Sequence, residues 1–158
     1  MHFGERESTD MRVLIDTNIL IDFMAMRTPY EAYAVKIVDA CDRSVIDGCI
    51  AAHSIPNIEY ILRKSVPLDQ RRETLLYFCE IFDVIGIDRN KLTAALTNSL
   101  FSDYEDCLQS LCASSFHADY IITRNPKDYE GSKIPVILPD IFCERFLSTQ
   151  NPKSGDET

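Results

Sequence analysis

Five glycines are scattered through the 158 residues, and none opens a GKS or GKT segment. The glycine-rich phosphate cradle of a P-loop enzyme is therefore excluded. No G-x-S-x-G elbow is present for a serine hydrolase. A haloacid-dehalogenase-type phosphatase needs a second aspartate two residues after its nucleophile, and Asn18 stands two residues after Asp16. The six cysteines (Cys41, Cys49, Cys79, Cys107, Cys112, Cys143) include no C-x-x-C pair, which argues against zinc and redox motifs. Most lie in apolar runs, so reduced and buried thiols are expected. His2, His53 and His117 share no ligand spacing; His53 is expected at a helix start or near a site, His117 at the surface.

Long apolar runs are also missing. Val13 to Ile15 and Ile19 to Ile21 are far too short to cross a bilayer, and no basic-then-apolar signal opens the chain. The expectation is a cytoplasmic protein with no membrane partner. The first ten residues, MHFGERESTD, are polar and acidic, and Met11 is an alternative start.

The composition, 46% apolar and 26% charged, is that of a globular domain, and the length suits one domain with a substantial core. A net charge of −9 runs against tight non-specific binding of nucleic acid, which calls for a basic footprint. Five of those charges, however, belong to the candidate site below, where bound cations would offset them.

Strands alternate with helices. Strands are predicted at 12–16, 48–52, 84–87, 120–123 and 136–138. Helices are predicted at 19–26, 31–43, 54–64, 68–82, 89–99, from Ser102 to about 116, and 139–147. Asp88 reads as a helix cap, and Ser102 to Glu105 has the S-x-x-E form of a capping box. This pattern implies an α/β fold: a three-layer α/β/α sandwich around a central parallel sheet of about five strands. The domain spans 11–147, with polar ends at 1–10 and 148–158 expected to fray.

What is present in quantity is carboxylate at the edges of apolar runs: Asp16, Glu59, Asp103, Asp106 and Asp119. Carboxylates are costly to bury there unless paired, hydrogen-bonded or bound to a cation. An oxygen-only cluster suits Mg²⁺ or Mn²⁺. Each residue but Asp106, which lies beyond the cap and is harder to explain structurally, also has an ordinary reading. Asp16-Thr17-Asn18 makes a turn in which Asn18 caps the next helix and orients Asp16, and Thr17 offers a hydroxyl or merely packs. Glu59 suits a solvated helix face. Asp103 serves the helix dipole or a metal, and Glu105 completes the cap. Asp119 precedes the apolar core of its strand, so strand-end logic places it less well than Asp16. Asp128 reads as a surface partner for Arg124 or Lys127.

Taken in order, LIDTNILID, NIEYILRK, DYEDCLQ, ADYIITRNPKDY and IPVILPDIF resemble the PIN domains over roughly Met11 to Leu147. Many PIN domains are metal-dependent ribonucleases, including VapC-type toxins of toxin–antitoxin pairs. The resemblance implies an acidic site of Asp16, Glu59, Asp103, Asp106 and Asp119, with Asp16, Asp106 and Asp119 as ligands of Mg²⁺ or Mn²⁺. Asn18 and Thr123 would support it, and Thr17 and Asn125 are further supporting candidates. It also implies an RNA substrate cut to a 3′-hydroxyl and a 5′-phosphate, a cognate antitoxin and a homodimer. Arg63, Lys64, Arg124 and Lys127 are either backbone-phosphate contacts or solvated charge. The alternative is a weakly active PIN-fold module that works through protein contacts.

Overall fold

A computed structural model describes residues 11–148. The ends expected to fray lie outside the described residues, apart from Ser148. Five parallel strands form one sheet: β1 (Arg12–Ile15), β2 (Asp47–Ala51), β3 (Asp83–Ile85), β4 (Tyr120–Ile122) and β5 (Val136–Ile137). Their spatial order is β3-β2-β1-β4-β5. Val13 pairs with Gly48 on one side and with Tyr120 on the other, so β1 is central.

Val13, Leu14 and Ile15 are fully buried because both faces of the sheet are covered. Alternation along the strand divides the core in two. Leu14, Cys49, Ala51 and Ile121 pack against Cys112 and Ala113 of α6 (Tyr104–Ser115) and against Phe116 just beyond it. Val13, Ile15, Ile50 and Ile122 face the opposite layer. That layer comprises α1 (Thr17–Met24), α2 (Glu31–Asp42), α3 (Ser54–Leu62), α4 (Leu68–Ile81) and α7 (Pro139–Phe142). The helix α5 (Arg89–Thr97) lies on α6 through Ala95, Cys107 and Leu108. The three-layer expectation holds. Gly48 is needed for close packing within it, since a Cβ there would stand 2.6 Å from Cys41 Sγ and 3.0 Å from Phe82.

Most element boundaries fall within two residues of the sequence reading. Asp88 does cap α5, accepting from Lys91 N at 2.9 Å. Ser102 does not cap α6. Asp103 takes that place, its Oδ1 accepting from Glu105 N (2.8 Å) and Asp106 N (3.1 Å), because a carboxylate satisfies two first-turn donors at once. Between β4 and β5 lies an unforeseen 3₁₀ turn, Pro126–Tyr129. The last helix passes into a π-helical turn over Cys143–Leu147. All six cysteines are free, and all but Cys79 are buried. Among the described residues no helix is long and apolar enough to cross a membrane.

Candidate functional site

The order of the sheet reverses between β1 and β4, and parallel sheets present their ligand crevices at the carboxyl ends of such neighbouring strands. Asp16 follows β1 there, and Thr123 follows β4. Asp16 N donates to Ile122 O at 3.1 Å, extending the ladder by one rung. The Asp16 carboxylate accepts the Thr123 hydroxyl at 2.8 Å, and Thr123 Oγ1 accepts in turn from Asn125 N at 3.1 Å. Asp16 is only 5% exposed and Thr123 is fully buried. Burial pushes the Asp16 carboxyl above its ordinary range, outweighing the opposing pull of Thr123 and the Thr17 N–H.

Asp106 reaches the same place from the first turn of α6. Its carboxyl is pushed up to about 7, first by burial and then by the charges of Asp103, Asp16, Asp128 and Glu105. Asp128, on the 3₁₀ turn, also acts on Asp16. Tyr129 beside it is 3% exposed, and its hydroxyl lies near the Asp16 carboxylate without meeting hydrogen-bond geometry to any of the described residues. Burial, then the Asp16 and Asp106 charges, push that phenol far up. Five carboxylates, from the end of β1, the cap and first turn of α6 and the 3₁₀ turn, thus share one electrostatic neighbourhood.

Two of the expected carboxylates lie elsewhere. Asp119 sits at the amino end of β4: its Oδ2 accepts Arg12 N at 2.8 Å, and its own N–H donates to Arg12 O at 2.7 Å. Arg12 opens β1 and Asp16 follows its end, so about 13 Å of strand separates them at 3.3 Å per residue. Glu59 is held by Arg71 of α4 in a two-pronged pair, both contacts 3.0 Å. That pairing lowers its pKa and ties it to α4.

The supporting residues divide in the same way. Asn18 lies inside α1, which begins at Thr17 with Asp16 as its N-cap residue, so Asn18 neither caps the helix nor bonds Asp16. Asn125 contributes its backbone N–H to Thr123 rather than its amide. Thr17 Oγ1 instead contacts Ser54 Oγ at 2.7 Å and accepts from Gln109 Nε2 at 2.8 Å. Arg124 is not a free phosphate ligand. It forks onto the fully buried Asp22 at 2.8 and 3.0 Å and stacks on Tyr30. Arg63 and Lys64 are exposed at the far end of α3.

Sequence reasoning gave Asp128 only a surface role and did not consider Tyr129, Ser54 or Gln109. Position held one clue: the TRNPKDY segment leaves β4 at its carboxyl end, the end that Asp16 also occupies.

Among the described residues, no three histidine, cysteine, aspartate or glutamate side chains stand close enough to grip an ion as they are placed. The chemistry of the donor set nevertheless fits a hard divalent cation. Asp16, Asp106 and Asp128 offer only oxygen, and their mutual repulsion is what a cation would relieve.

Residues 12–127 match the sequence pattern of the PIN domain family, and the chain belongs to that family. Curated protein sequences give no match. Among solved structures, the chain is similar to VapBC2 from Rickettsia felis bound to a DNA fragment from its promoter. That pair has a TM-score of 0.57 and 16% identity over 81% of this chain and 98% of the other. FitAB bound to an IR36 DNA fragment gives a TM-score of 0.57 and 15% identity, covering 80% and 94%. FitAcB from Neisseria gonorrhoeae gives 0.57 and 14%, covering 80% and 97%. At these identities the likeness is one of fold.

Proposed function

We propose that this protein is a divalent-metal-dependent endoribonuclease that serves as the toxin of a toxin–antitoxin pair. The observation that carries this reading is the buried Asp16 carboxylate at the β1–β4 crevice, held by Thr123 within the field of Asp106 and Asp128. Nothing in the packing of the fold calls for a carboxylate there, and its burial is costly.

Asp16, Asp106 and Asp128 would hold Mg²⁺ or Mn²⁺, with Asp103 at the rim. The bound ion would supply a water of lowered pKa and offset charge on the leaving oxygen. The protein's own part is to orient Asp16 through Thr123, to keep Asp106 beside it on α6, and to close the crevice floor with Tyr129. Products with a 3′-hydroxyl and a 5′-phosphate are expected. Asp119 and Glu59 have no part in this arrangement.

The toxin role rests on family membership and on fold likeness to toxin components of VapBC and FitAB complexes. A cognate antitoxin, a homodimeric state and a cytoplasmic location follow from the same reading. A second reading, a PIN-fold module acting through protein contacts, is favoured by one observation: Glu59 is engaged by Arg71 instead of joining the acids.

The deciding experiment is cleavage of a structured RNA with Mn²⁺ by wild type and Asp16→Asn, with EDTA as a control. Loss of cleavage in the variant and in EDTA is expected. Equal cleavage by both proteins removes the catalytic assignment, and no cleavage by either favours the interaction module.

A further inference from the structure

Three helices that frame the crevice are tied together by one largely buried polar ring. Gln109 of α6 is 2% exposed, and its Nε2 donates to Thr17 Oγ1 at 2.8 Å and to Ser54 Oγ at 3.1 Å. Thr17 and Ser54 close the ring between themselves at 2.7 Å. The two amide hydrogens serve two hydroxyl oxygens, and one hydroxyl donates to the other, which closes the ring but leaves the amide oxygen outside it.

Each member sits next to something the crevice needs. Thr17 adjoins Asp16 and opens α1. Ser54 opens α3 at the carboxyl end of β2, beside His53. Gln109 lies three residues after Asp106, on the same face of α6 and one turn deeper. Apolar side chains would fill this space as well, and a buried amide loses more rotamer freedom than leucine. The polar choice also leaves Gln109 Oε1 buried without a donor among the described residues, an arrangement that ordinarily costs stability. The unpaired buried side-chain atoms among the described residues belong to His53, Gln109 and Tyr129, all at this end of the sheet. Such costs gather where function, rather than packing, selects the residue.

We propose that Gln109 is a positioning residue of the acidic site. Through its paired hydrogen bonds to Thr17 and Ser54 it fixes α6 against α1 and α3, and so sets the spacing between Asp106 and Asp16. This inference rests on the metal-dependent nuclease reading. A hydrogen bond is directional where apolar contact is not, so the ring resists sliding of α6 along the sheet. Loss of the ring leaves both carboxylates in place but looser, and divalent cation binding is sensitive to that looseness.

The test is Gln109→Leu, which keeps the volume and removes both donors. Mn²⁺ is titrated against the thermal midpoint of the protein without RNA, and separately against RNA cleavage. The Mn²⁺ concentration giving half the stabilising shift should rise about tenfold, the scale for groups that orient metal ligands. Cleavage should need correspondingly more Mn²⁺, with little change in KM for RNA. Thr17→Val should reproduce the effect, Thr17→Ser should not, and Thr17→Val with Gln109→Leu should be no worse than either alone. Should Gln109→Leu not fold, Ser54→Ala carries the same comparison. A lower melting temperature with an unchanged Mn²⁺ requirement makes Gln109 a packing residue and overturns the proposal alone. A wild type that neither binds Mn²⁺ nor cleaves RNA overturns the nuclease reading, and this inference falls with it.

Discussion

Thr123 and Asp16, 107 residues apart, meet across the β1–β4 crevice through a buried 2.8 Å hydrogen bond. The hydroxyl comes from the end of β4 and the carboxylate from the end of β1, so the bond exists only when the two strands pair in their native register. It is the shortest side-chain bond to Asp16 among the described residues, with the Tyr129 hydroxyl also lying near that carboxylate. Thr123→Val keeps shape and burial but removes that donor. Leaving a buried carboxylate short of a partner should cost about 1–3 kcal/mol, read as a lower urea midpoint. If Asp16 works as proposed, RNA cleavage should fall about 10- to 100-fold as well, the scale for groups that orient metal ligands. Thr123→Ser should restore most of both. A valine variant with wild-type stability would show that the bond holds nothing in place.

The carboxyl of Asp106 titrates at about 7 in the folded chain, against about 3.9 for a free aspartate. Between those values the folded state binds more protons than the unfolded state, so stability falls as pH rises through this window. Asp106→Asn removes the charge that burial and three neighbouring aspartates disfavour. The variant should melt higher than wild type at pH 8, and the gain should shrink to nothing near pH 4. Asp106 is partly exposed, so solvent screening keeps the gain to a few degrees. Thermal melts of both proteins across pH 4 to 8, in EDTA, check the sign. A destabilised Asp106→Asn at pH 8 would mean that the carboxylate has a stabilising partner.

Arg124, in sequence either a phosphate contact or solvated charge, acts as a structural cation in the fold. Its guanidinium neutralises Asp22, whose side chain is fully buried, and lies 4.0 Å from the Tyr30 ring. Arg124→Ala should therefore unfold more readily, by roughly 3 kcal/mol, the lower end for a broken buried pair because Arg124 is one-fifth exposed. Asp22→Asn with Arg124→Gln, which removes both charges together, should recover much of that loss. Guanidinium denaturation of the three proteins measures it. Full stability in Arg124→Ala, together with weaker RNA binding, would make Arg124 a phosphate contact after all.

What the chain disclosed in advance follows a physical line. Val13-Leu14-Ile15 then Asp16 was legible because a strand buried on both faces must be wholly apolar, and a carboxylate at its carboxyl end stands out. The cap at Asp88 was legible because its partner lies three residues away. Glu59 was not, since its fate is decided by Arg71 on a different helix. Asp103 and Ser102 competed for one cap, and the carboxylate prevailed by satisfying two donors. Gln109, Thr17 and Ser54 come from three separate helices, and no local pattern marks their meeting.

Asp119 and Asp128 provide the sharpest separation between motif and geometry. Both lie in the ADYIITRNPKDY segment, one just before β4 and the other on the turn after it. The strand between them reaches from one end of the sheet to the other, so only one of them can face Asp16. Register gives that place to Asp128, since Asp119 bonds Arg12 N while the charge of Asp128 bears on both Asp16 and Asp106. Asp128→Asn should lower RNA cleavage and raise the Mn²⁺ requirement, with little effect on stability because its side chain is exposed. Asp119→Asn should leave cleavage unchanged and cost at most about 1 kcal/mol, the net worth of one exposed hydrogen bond. Initial cleavage rates at saturating and limiting Mn²⁺ separate the two. If Asp119→Asn proves inactive while Asp128→Asn is normal, the acids do not act at the β1–β4 crevice, and the site proposed there is wrong.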